Sequence, residues 1–351
     1  MKQINQYLAH SRVLLLLVAV MIISSCDKND NANCTEFNDT NLVITSQSES
    51  TELPGMVSIF FKVDDKDGKP IAQLTNSAFN IYEKGRNDDC AKLISASESN
   101  SRISSKSQSF KFNTLLVLDF SGSVISSSLS ELKDAAKSLV ENAMPDTLDN
   151  SYKMGIWWFD GEDKLHQLVG FTSSKTALNN AIEGISGGIS IDPSTDLYGA
   201  IIKASDLAAM ALDTIIGQGI LGAASIVIFT DGTDQAARYT KTEALNKVNG
   251  LDPRIAVFSI GLGAEIDQAT LKSIGTDGSI FADSTSQLES KFIEVANLIA
   301  AEANSYYLFQ YCSPKRDGSG SNDLIIEVTA GGKKGYLKTS FDATGFTSGC
   351  N

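Results

Sequence analysis

TLLVLDFSGS, residues 114–123, holds the most informative pattern in this chain of 351 residues. The apolar residues 115–118 end on Asp119, as a buried strand of a parallel sheet would, although four apolar residues alone are also compatible with a helix. Ser121 and Ser123 then place two hydroxyl groups in one tight turn with this carboxylate. In open α/β sheets, ligands bind at the carboxyl ends of the strands. Hard oxygen donors grouped in a turn suit a hard cation such as Mg²⁺.

Downstream of this segment, strand and helix patterns alternate. Apolar runs of strand length occur at residues 152–159, 224–230 and 254–260. Helical spacing is predicted after Ser128 and at residues 175–185, 197–212, 240–248 and 287–303. Ser128 has the spacing of a capping box with a glutamate three residues later. The alternation predicts an α/β fold, with a doubly wound, mostly parallel sheet covered on both faces.

The two ends of the chain have strand patterns of another kind. Residues 46–112 contain alternating apolar positions that predict a small antiparallel β domain. Residues 304–351 return to strand patterns, but this tail is too short to form a core of its own. We therefore expect the tail to pack on the first β domain. The α/β unit, residues 113–303, would then be inserted in, or flanked by, one small antiparallel β-sandwich.

The first 25 residues are similar to a bacterial lipoprotein signal. An apolar run at residues 13–23 follows two basic residues and is too short to span a bilayer. Small residues then precede Cys26, which resembles a lipobox cysteine that is lipidated and becomes the mature N-terminus. An ordinary signal peptide or a short anchor is the alternative. Residues 26–45 are polar, and we expect a flexible tether there.

The net charge and the residues beside Cys26 indicate which partners and which cell compartment suit this chain. The formal net charge is −13 and becomes −15 once Lys2 and Arg12 leave with the signal. Such acidity argues against nucleic acid as a partner, because phosphates need Lys and Arg to neutralise them. The polar residues beside Cys26 resemble the surface-export signals of Bacteroidota lipoproteins. We expect an envelope protein whose N-terminal lipid holds it on a membrane, at the outer membrane or cell surface.

Four cysteines remain in the chain after the signal: Cys34, Cys90, Cys312 and Cys350. An even number in an exported chain indicates two disulfide bonds. Three pairings are possible. We favour Cys34 with Cys90 and Cys312 with Cys350, since each bond then stays within one end of the chain. Free buried thiols are the alternative.

Two further segments would reach the same sheet edge as the Asp119 turn. STDLYG, residues 194–199, lies in a loop before a predicted helix and supplies Thr195. FTDG, residues 229–232, ends a second buried strand and supplies Asp231. In a parallel sheet the carboxyl ends of strands share one edge, so these side chains would lie together.

These motifs, in this order, resemble the von Willebrand factor A domain, whose metal-ion-dependent adhesion site combines D-x-S-x-S, a later loop threonine and an aspartate after a later strand. The resemblance covers roughly residues 113–303. The matching positions are Asp119, Ser121, Ser123, Thr195 and Asp231. It implies that the first three form the core of an Mg²⁺ site (or an Mn²⁺ or Ca²⁺ site), with the last two bound directly or through water. The alternative is that all five only cap helices and fill turns.

The charge of this site suggests what it binds. Two aspartates balance a divalent cation, but a cation that meets Asp231 only through water is underneutralised. An open position would then favour a carboxylate, so we expect a protein partner that presents Asp or Glu. A structural component of an envelope assembly, with a metal that only orders the loops, is the main alternative. A metal-dependent hydrolase is a more remote one.

The chain lacks the residues that several classes of enzyme require. After the signal the chain has one histidine, His166, which we expect in an exposed, charged loop far from any evident nucleophile. A His-rich zinc site is excluded by this count, and the cysteines lack C-x-x-C spacing. The phosphate-binding G-x-x-x-x-G-K-[ST] pattern is also absent from the sequence. Asp160, after the strand of Trp157 and Trp158, either supports the metal site or ends a strand. We therefore expect a binding protein rather than an enzyme.

Overall fold

The structure, a computed structural model, describes residues 34–103, 110–146, 150–314 and 320–347. The predicted signal peptide, the predicted lipidation site Cys26 and the predicted disulfide partner Cys350 lie outside these residues. The chain divides into two units between Glu36 and Phe37, and the elements below belong to the second. Within the described residues, no helix is both long enough and apolar enough to cross a membrane.

The secondary structure alternates between strand-rich and mixed regions. The strands are β1 (Leu42–Glu52), β2 (Met56–Asp65), β3 (Phe79–Lys84), β4 (Lys92–Ile94), β5 (Arg102–Ile103), β6 (Phe110–Asp119), β7 (Tyr152–Phe159), β8 (His166–Thr172), β9 (Leu221–Thr230), β10 (Ile255–Leu262), β11 (Gly278–Ala282), β12 (Tyr306–Cys312), β13 (Ser321–Ala330) and β14 (Lys333–Asp342). The α-helices are α1 (Ala96–Ser99), α2 (Gly122–Ser127), α3 (Leu129–Ala143), α4 (Lys175–Glu183), α5 (Leu197–Ile216), α6 (Lys241–Asn249), α7 (Gln268–Ile274) and α8 (Leu288–Ala303).

A six-stranded sheet forms the centre of the α/β region, in the order β11-β10-β9-β6-β7-β8. Its neighbours are parallel except for β8, which runs antiparallel to β7. In the register of β6, Leu118 pairs with Phe229 of β9, and Asp119 pairs with Phe159 of β7. The residues that follow β6, β7 and β9 therefore meet at one edge of the sheet.

Helices cover both faces of this sheet. Apolar side chains of α3, α4 and α8, such as Leu139, Leu178 and Phe292, pack on one face. Those of α5, α6 and α7 pack on the other, where Leu212 and Leu271 are buried. Trp158 and Trp157 are both buried and belong to opposite faces, as the alternation of side chains along a strand requires.

Two four-stranded antiparallel sheets form a β-sandwich beside the α/β region. Their orders are β1-β2-β12-β5 and β14-β13-β3-β4. A shared apolar core joins them, with Phe61 of β2, Phe309 of β12, Ile81 of β3 and Ile326 of β13 all buried. The strands after the last helix thus complete sheets that begin before β6. The predicted fold class, a mostly parallel α/β sheet with an antiparallel β module, is confirmed.

Aromatic side chains join the sandwich to the α/β region. The ring centroid of Phe60 lies 5.5 Å from that of Phe110 and 5.6 Å from that of Tyr306, and the centroids of Phe110 and Tyr306 are 5.4 Å apart. Beside them, Lys62 of β2 forms a 2.9 Å ion pair with the buried Glu302 of α8. Burial raises the pKa of Glu302, and the ammonium of Lys62 opposes that rise.

The structure differs from the sequence expectations at several element ends. β1 already begins at Leu42, inside the segment expected to be a tether. Its side chains are mostly exposed and polar, because it is an edge strand held by backbone pairing with β2. The predicted capping box at Ser128 is wrong: its backbone is not extended and its side chain accepts no capping hydrogen bond. A full capping box occurs instead at Thr240 and Glu243, at the start of α6.

The cysteines are consistent with an oxidised chain. Cys34, Cys90 and Cys312 are each disulfide-bonded, so the alternative of free buried thiols is wrong for these three. The favoured pairing stays a prediction.

Candidate metal centre

Asp119 is the last residue of β6, and its side chain has no exposed surface. Its Oδ1 accepts a 2.8 Å hydrogen bond from the backbone N–H of Ser121, and its Oδ2 accepts a 2.6 Å bond from the hydroxyl of Thr230. Burial raises the pKa of Asp119 to about 7, although these hydrogen bonds lower it. The hydrogen bonds thus hold the carboxylate in place, while its burial away from water disfavours the charged form.

Ser121 and Ser123 follow at the start of α2. Their hydroxyl oxygens lie 3.4 Å apart, and Ser123 donates a 2.9 Å hydrogen bond to Oδ1 of Asp231. Asp231 follows β9, and burial raises its pKa while the bond from Ser123 lowers it. Asp119, Ser121, Ser123 and Asp231 are therefore brought together, although more than a hundred residues separate the first from the last.

Thr195 lies in the loop that approaches this turn from the side. Gly122 donates a 2.9 Å hydrogen bond to the carbonyl of Pro193, and a Cβ on Gly122 would come within 2.9 Å of the proline ring. The buried Thr195 accepts a backbone hydrogen bond from Gln235, and its hydroxyl lies 4.0 Å from the position a Cβ would take on Gly232. The threonine hydroxyl thus lies beside the Asp231 loop.

Other aspartates of these loops have structural partners. Asp196 caps α5 by accepting from Gly199, and Asp234 accepts from the backbone of Tyr198 and Ala237. The carboxylate of Asp160 accepts bonds from the backbone of Glu162 and from the hydroxyl of Ser190. The backbone carbonyl of Asp160 also accepts from Asp196. These bonds hold the loop that carries Thr195, so Asp160 connects two loops of the edge rather than only ending a strand.

The donor set fits a divalent cation. Two carboxylates and three hydroxyl groups are hard oxygen donors, which suit Mg²⁺, Mn²⁺ or Ca²⁺. Among the described residues, neither Asp119 nor Asp231 forms an ion pair with a Lys or Arg, so neither carboxyl group has a close protein counter-ion. Burying unpaired charges is costly, and a bound cation removes that cost.

Sequence reasoning overlooked Thr230 and misplaced His166. Thr230 precedes Asp231, but its bond to Asp119 depends on β9 lying next to β6, which no local pattern reveals. His166 is not an exposed loop residue: it begins β8, and its ring stacks on Trp158 at a centroid distance of 3.9 Å. The weak alternation of this antiparallel edge strand concealed it.

The chain is similar to known proteins over its α/β region. The family model of the von Willebrand factor type A domain matches residues 113–296. A comparison with curated proteins gave no match. Proximal thread matrix protein 1 from the mussel byssus is 15% identical with a TM-score of 0.43, over 60% of this chain and 50% of that chain. This chain thus spans about half the length of the mussel protein.

Two bacterial structures are also similar in fold. BatB from Bacteroides thetaiotaomicron is 19% identical with a TM-score of 0.42, over 55% of this chain and 100% of that chain. The corresponding domain of the type V pili tip protein Mfa5 from Porphyromonas gingivalis is 13% identical with a TM-score of 0.38, over 54% and 95% of the two chains. Because the family model covers more than half of the sequence, this chain belongs to the von Willebrand factor type A family.

Proposed function

We propose that this protein is a lipid-anchored envelope protein that binds a protein partner through a divalent metal ion. Asp119, Ser121 and Ser123 hold the ion, and Thr195 and Asp231 bind it directly or through water. An Asp or Glu of the partner completes the coordination. The observation that carries the proposal is the convergence of these oxygen donors from three loops, with two carboxylates that have no close protein counter-ion among the described residues.

The chemistry of the ion explains the choice of partner group. A divalent cation that is only partly neutralised by the protein attracts a further anionic oxygen ligand. Neutral hydroxyl groups add no charge, so the balance depends on Asp119 and Asp231. The net negative charge opposes an acidic partner at long range, but salt screens this repulsion beyond about 8 Å. Recognition is therefore local to the metal.

Membrane attachment is a separate part of the proposal. Cys26 carries the lipid, which holds the protein at the outer membrane or cell surface. The polar segment after Cys26 separates the folded domain from the membrane. This part rests on the sequence pattern of residues 1–26.

Magnesium titration tests the site. Isothermal titration of the purified protein should give one Mg²⁺ site, which Asp119→Ala removes. Asp206→Ala is the matched control, because Asp206 pairs with Lys247 on the surface of α5, away from the site. Circular dichroism confirms that each variant is folded, and Ser123→Ala, which removes an exposed hydroxyl, should weaken binding without unfolding the chain. Equal Mg²⁺ affinity in wild type and Asp119→Ala would reject the metal assignment.

Partner capture tests the function. Immobilised wild-type protein should retain an envelope protein in Mg²⁺ and release it in chelator, and Asp119→Ala should retain none. If chelation lowers the melting temperature yet leaves capture intact, the metal is only structural and the proposed binding mode is wrong. Turnover of phosphoester or peptide substrates would instead indicate a hydrolase.

A further inference from the structure

A second group of metal-ligand atoms lies between β7 and β8. Asp160, Glu162 and His166 each contribute one ligand atom, and these three atoms lie within 4.8 Å of one another. Asp160 is fully buried, and the other two side chains are partly buried. All three residues lie in a short stretch of chain, outside the five positions of the site described above.

The imidazole of His166 is held in one orientation. Its ring lies parallel to that of Trp158, with 7° between the planes. Its Nε2 is buried and lies 3.0 Å from Oε2 of Glu162, yet the geometry there does not satisfy a hydrogen bond. Two atoms that bind one tetrahedral zinc ion at about 2.0–2.2 Å lie roughly 3.4 Å apart. A separation of 3.0 Å is also ordinary for an N–H···O bond. The unsatisfied geometry at the buried Nε2, rather than the distance, is therefore what leaves this nitrogen available to bind an ion.

The surrounding loops keep the cluster in place. Oδ1 of Asp160 accepts a 2.9 Å bond from the backbone of Glu162, and Oδ2 accepts a 2.8 Å bond from Ser190. Each carboxylate oxygen has two acceptor positions, so one remains available on Oδ1. The guanidinium of Arg238 donates two bonds to the carbonyl of Gly161, where a Cβ would collide with the Ser194 hydroxyl. The turn that carries the ligands is thus formed before any ion binds.

The negative charge of the cluster also favours a bound cation. Among the described residues, no Lys or Arg forms an ion pair with Asp160 or Glu162; the nearby Lys203 pairs with Asp163 and Asp196 instead. A neutral imidazole with two carboxylates carries a formal charge of −2. Imidazole suits Zn²⁺ and other transition metals, whereas Mg²⁺ prefers a shell of oxygen atoms.

We propose that Asp160, Glu162 and His166 bind a zinc-type transition-metal ion at a site separate from that of Asp119. Three protein ligands leave at least one position for water. The backbone of Asp160 bonds to Asp196, next to Thr195, so the second ion stabilises the loop beside the first site. The two sites differ in chemistry: the first has only oxygen donors, and the second includes a nitrogen.

Zinc titration under non-reducing conditions tests this proposal. With Mg²⁺ present in excess, isothermal titration of the purified wild-type protein with ZnCl₂ should give one zinc site. His166→Gln should lose it while Mg²⁺ binding in the absence of zinc is unchanged. Asp163→Asn is the matched control in the same turn, because Asp163 pairs with Lys203 and Tyr239 and should leave the zinc isotherm intact. Co²⁺ in place of Zn²⁺ should give a visible absorption band that His166→Gln removes.

The same titration in Asp119→Ala separates the two sites. Zinc binding should persist in that variant, even if the Mg²⁺ site is lost or never existed. A zinc isotherm that survives in His166→Gln but disappears in Asp119→Ala would place zinc at the first site and overturn the proposal. Wild-type protein without any zinc isotherm would overturn it as well.

Discussion

The hydroxyl of Thr230 donates a 2.6 Å hydrogen bond to Oδ2 of Asp119, across the neighbouring strands β9 and β6. Both side chains are fully buried. The bond directs the carboxylate and leaves Oδ1 to the backbone of Ser121. The position of the central aspartate thus depends on a residue that is not itself a proposed metal ligand.

Removing this hydroxyl should loosen the aspartate. Thr230→Val keeps the shape of the side chain but leaves Asp119 with one fewer donor, so we expect a loss of about 1–3 kcal/mol in the free energy of unfolding. Mg²⁺ affinity should fall in parallel. Urea denaturation in chelator and magnesium titration measure the two effects. Thr214→Val, which removes an exposed hydroxyl on α5, is the control and should change neither; equal behaviour of the two variants would contradict the role of Thr230.

In the metal-free protein, the contribution of Asp119 to stability should fall as the pH rises. The pKa of Asp119 is about 7 in the folded protein against 3.8 ordinarily, so the folded state keeps a proton that the unfolded chain releases. The free energy of unfolding in chelator should therefore decline between about pH 4 and pH 7, by at most about 4 kcal/mol from this group. Asp119→Asn should flatten the profile, and saturating Mg²⁺ should restore stability at pH 7.5. Denaturant titrations across this range would refute the assignment if wild type and Asp119→Asn have the same slope.

Truncating an aromatic side chain between the sandwich and the α/β region should lower the free energy of unfolding. Phe60→Ala removes a buried ring that contacts Phe110 and Tyr306, and we expect a loss of about 3–5 kcal/mol. Leu93→Ala, at an exposed position of β4, should cost less than about 0.5 kcal/mol. Thermal and urea unfolding check both values. Similar losses in the two variants would show that the aromatic junction contributes little.

The helix caps offer a direct comparison between pattern and structure. Thr240→Ala removes the side-chain bond to the backbone of Glu243 and should cost about 1 kcal/mol. Ser128→Ala should cost less, because this serine accepts no capping bond. Urea unfolding of both variants against wild type gives the values. A larger loss at Ser128 would mean that its capping box forms in solution.

Local patterns predicted the parts of the fold that depend on local chemistry. The apolar run before Asp119 and the one before Asp231 are strands, and their carboxyl ends meet because parallel strands share an edge. Strand order is not a local property, so the sequence pattern does not predict the hydrogen bond from Thr230 to Asp119. β8 was also missed, since an antiparallel edge strand needs only backbone pairing and shows little apolar alternation. The sequence pattern therefore predicts a loop at His166 and does not indicate its stacking on Trp158.

Ser128 shows a further limit of spacing. The motif is compatible with a cap, but the serine directly follows the short helix α2, and its backbone has ψ near 0° rather than the extended value of a capping residue. The geometry of the preceding turn, set by the convergence of loops around Asp119, overrides the local preference.

The pairing of β2 with β12 joins two parts of the chain that lie far apart in sequence. Phe61 and Tyr307 are partners that lie 246 positions apart, so β2 has no neighbour on that side until the whole α/β region has been synthesised. Closing so long a loop is entropically expensive unless the intervening chain is already compact. We therefore expect the α/β region to fold first, after which β12 can pair with the free edge of β2. We expect assembly of the sandwich to be a late step of folding that requires a compact α/β region.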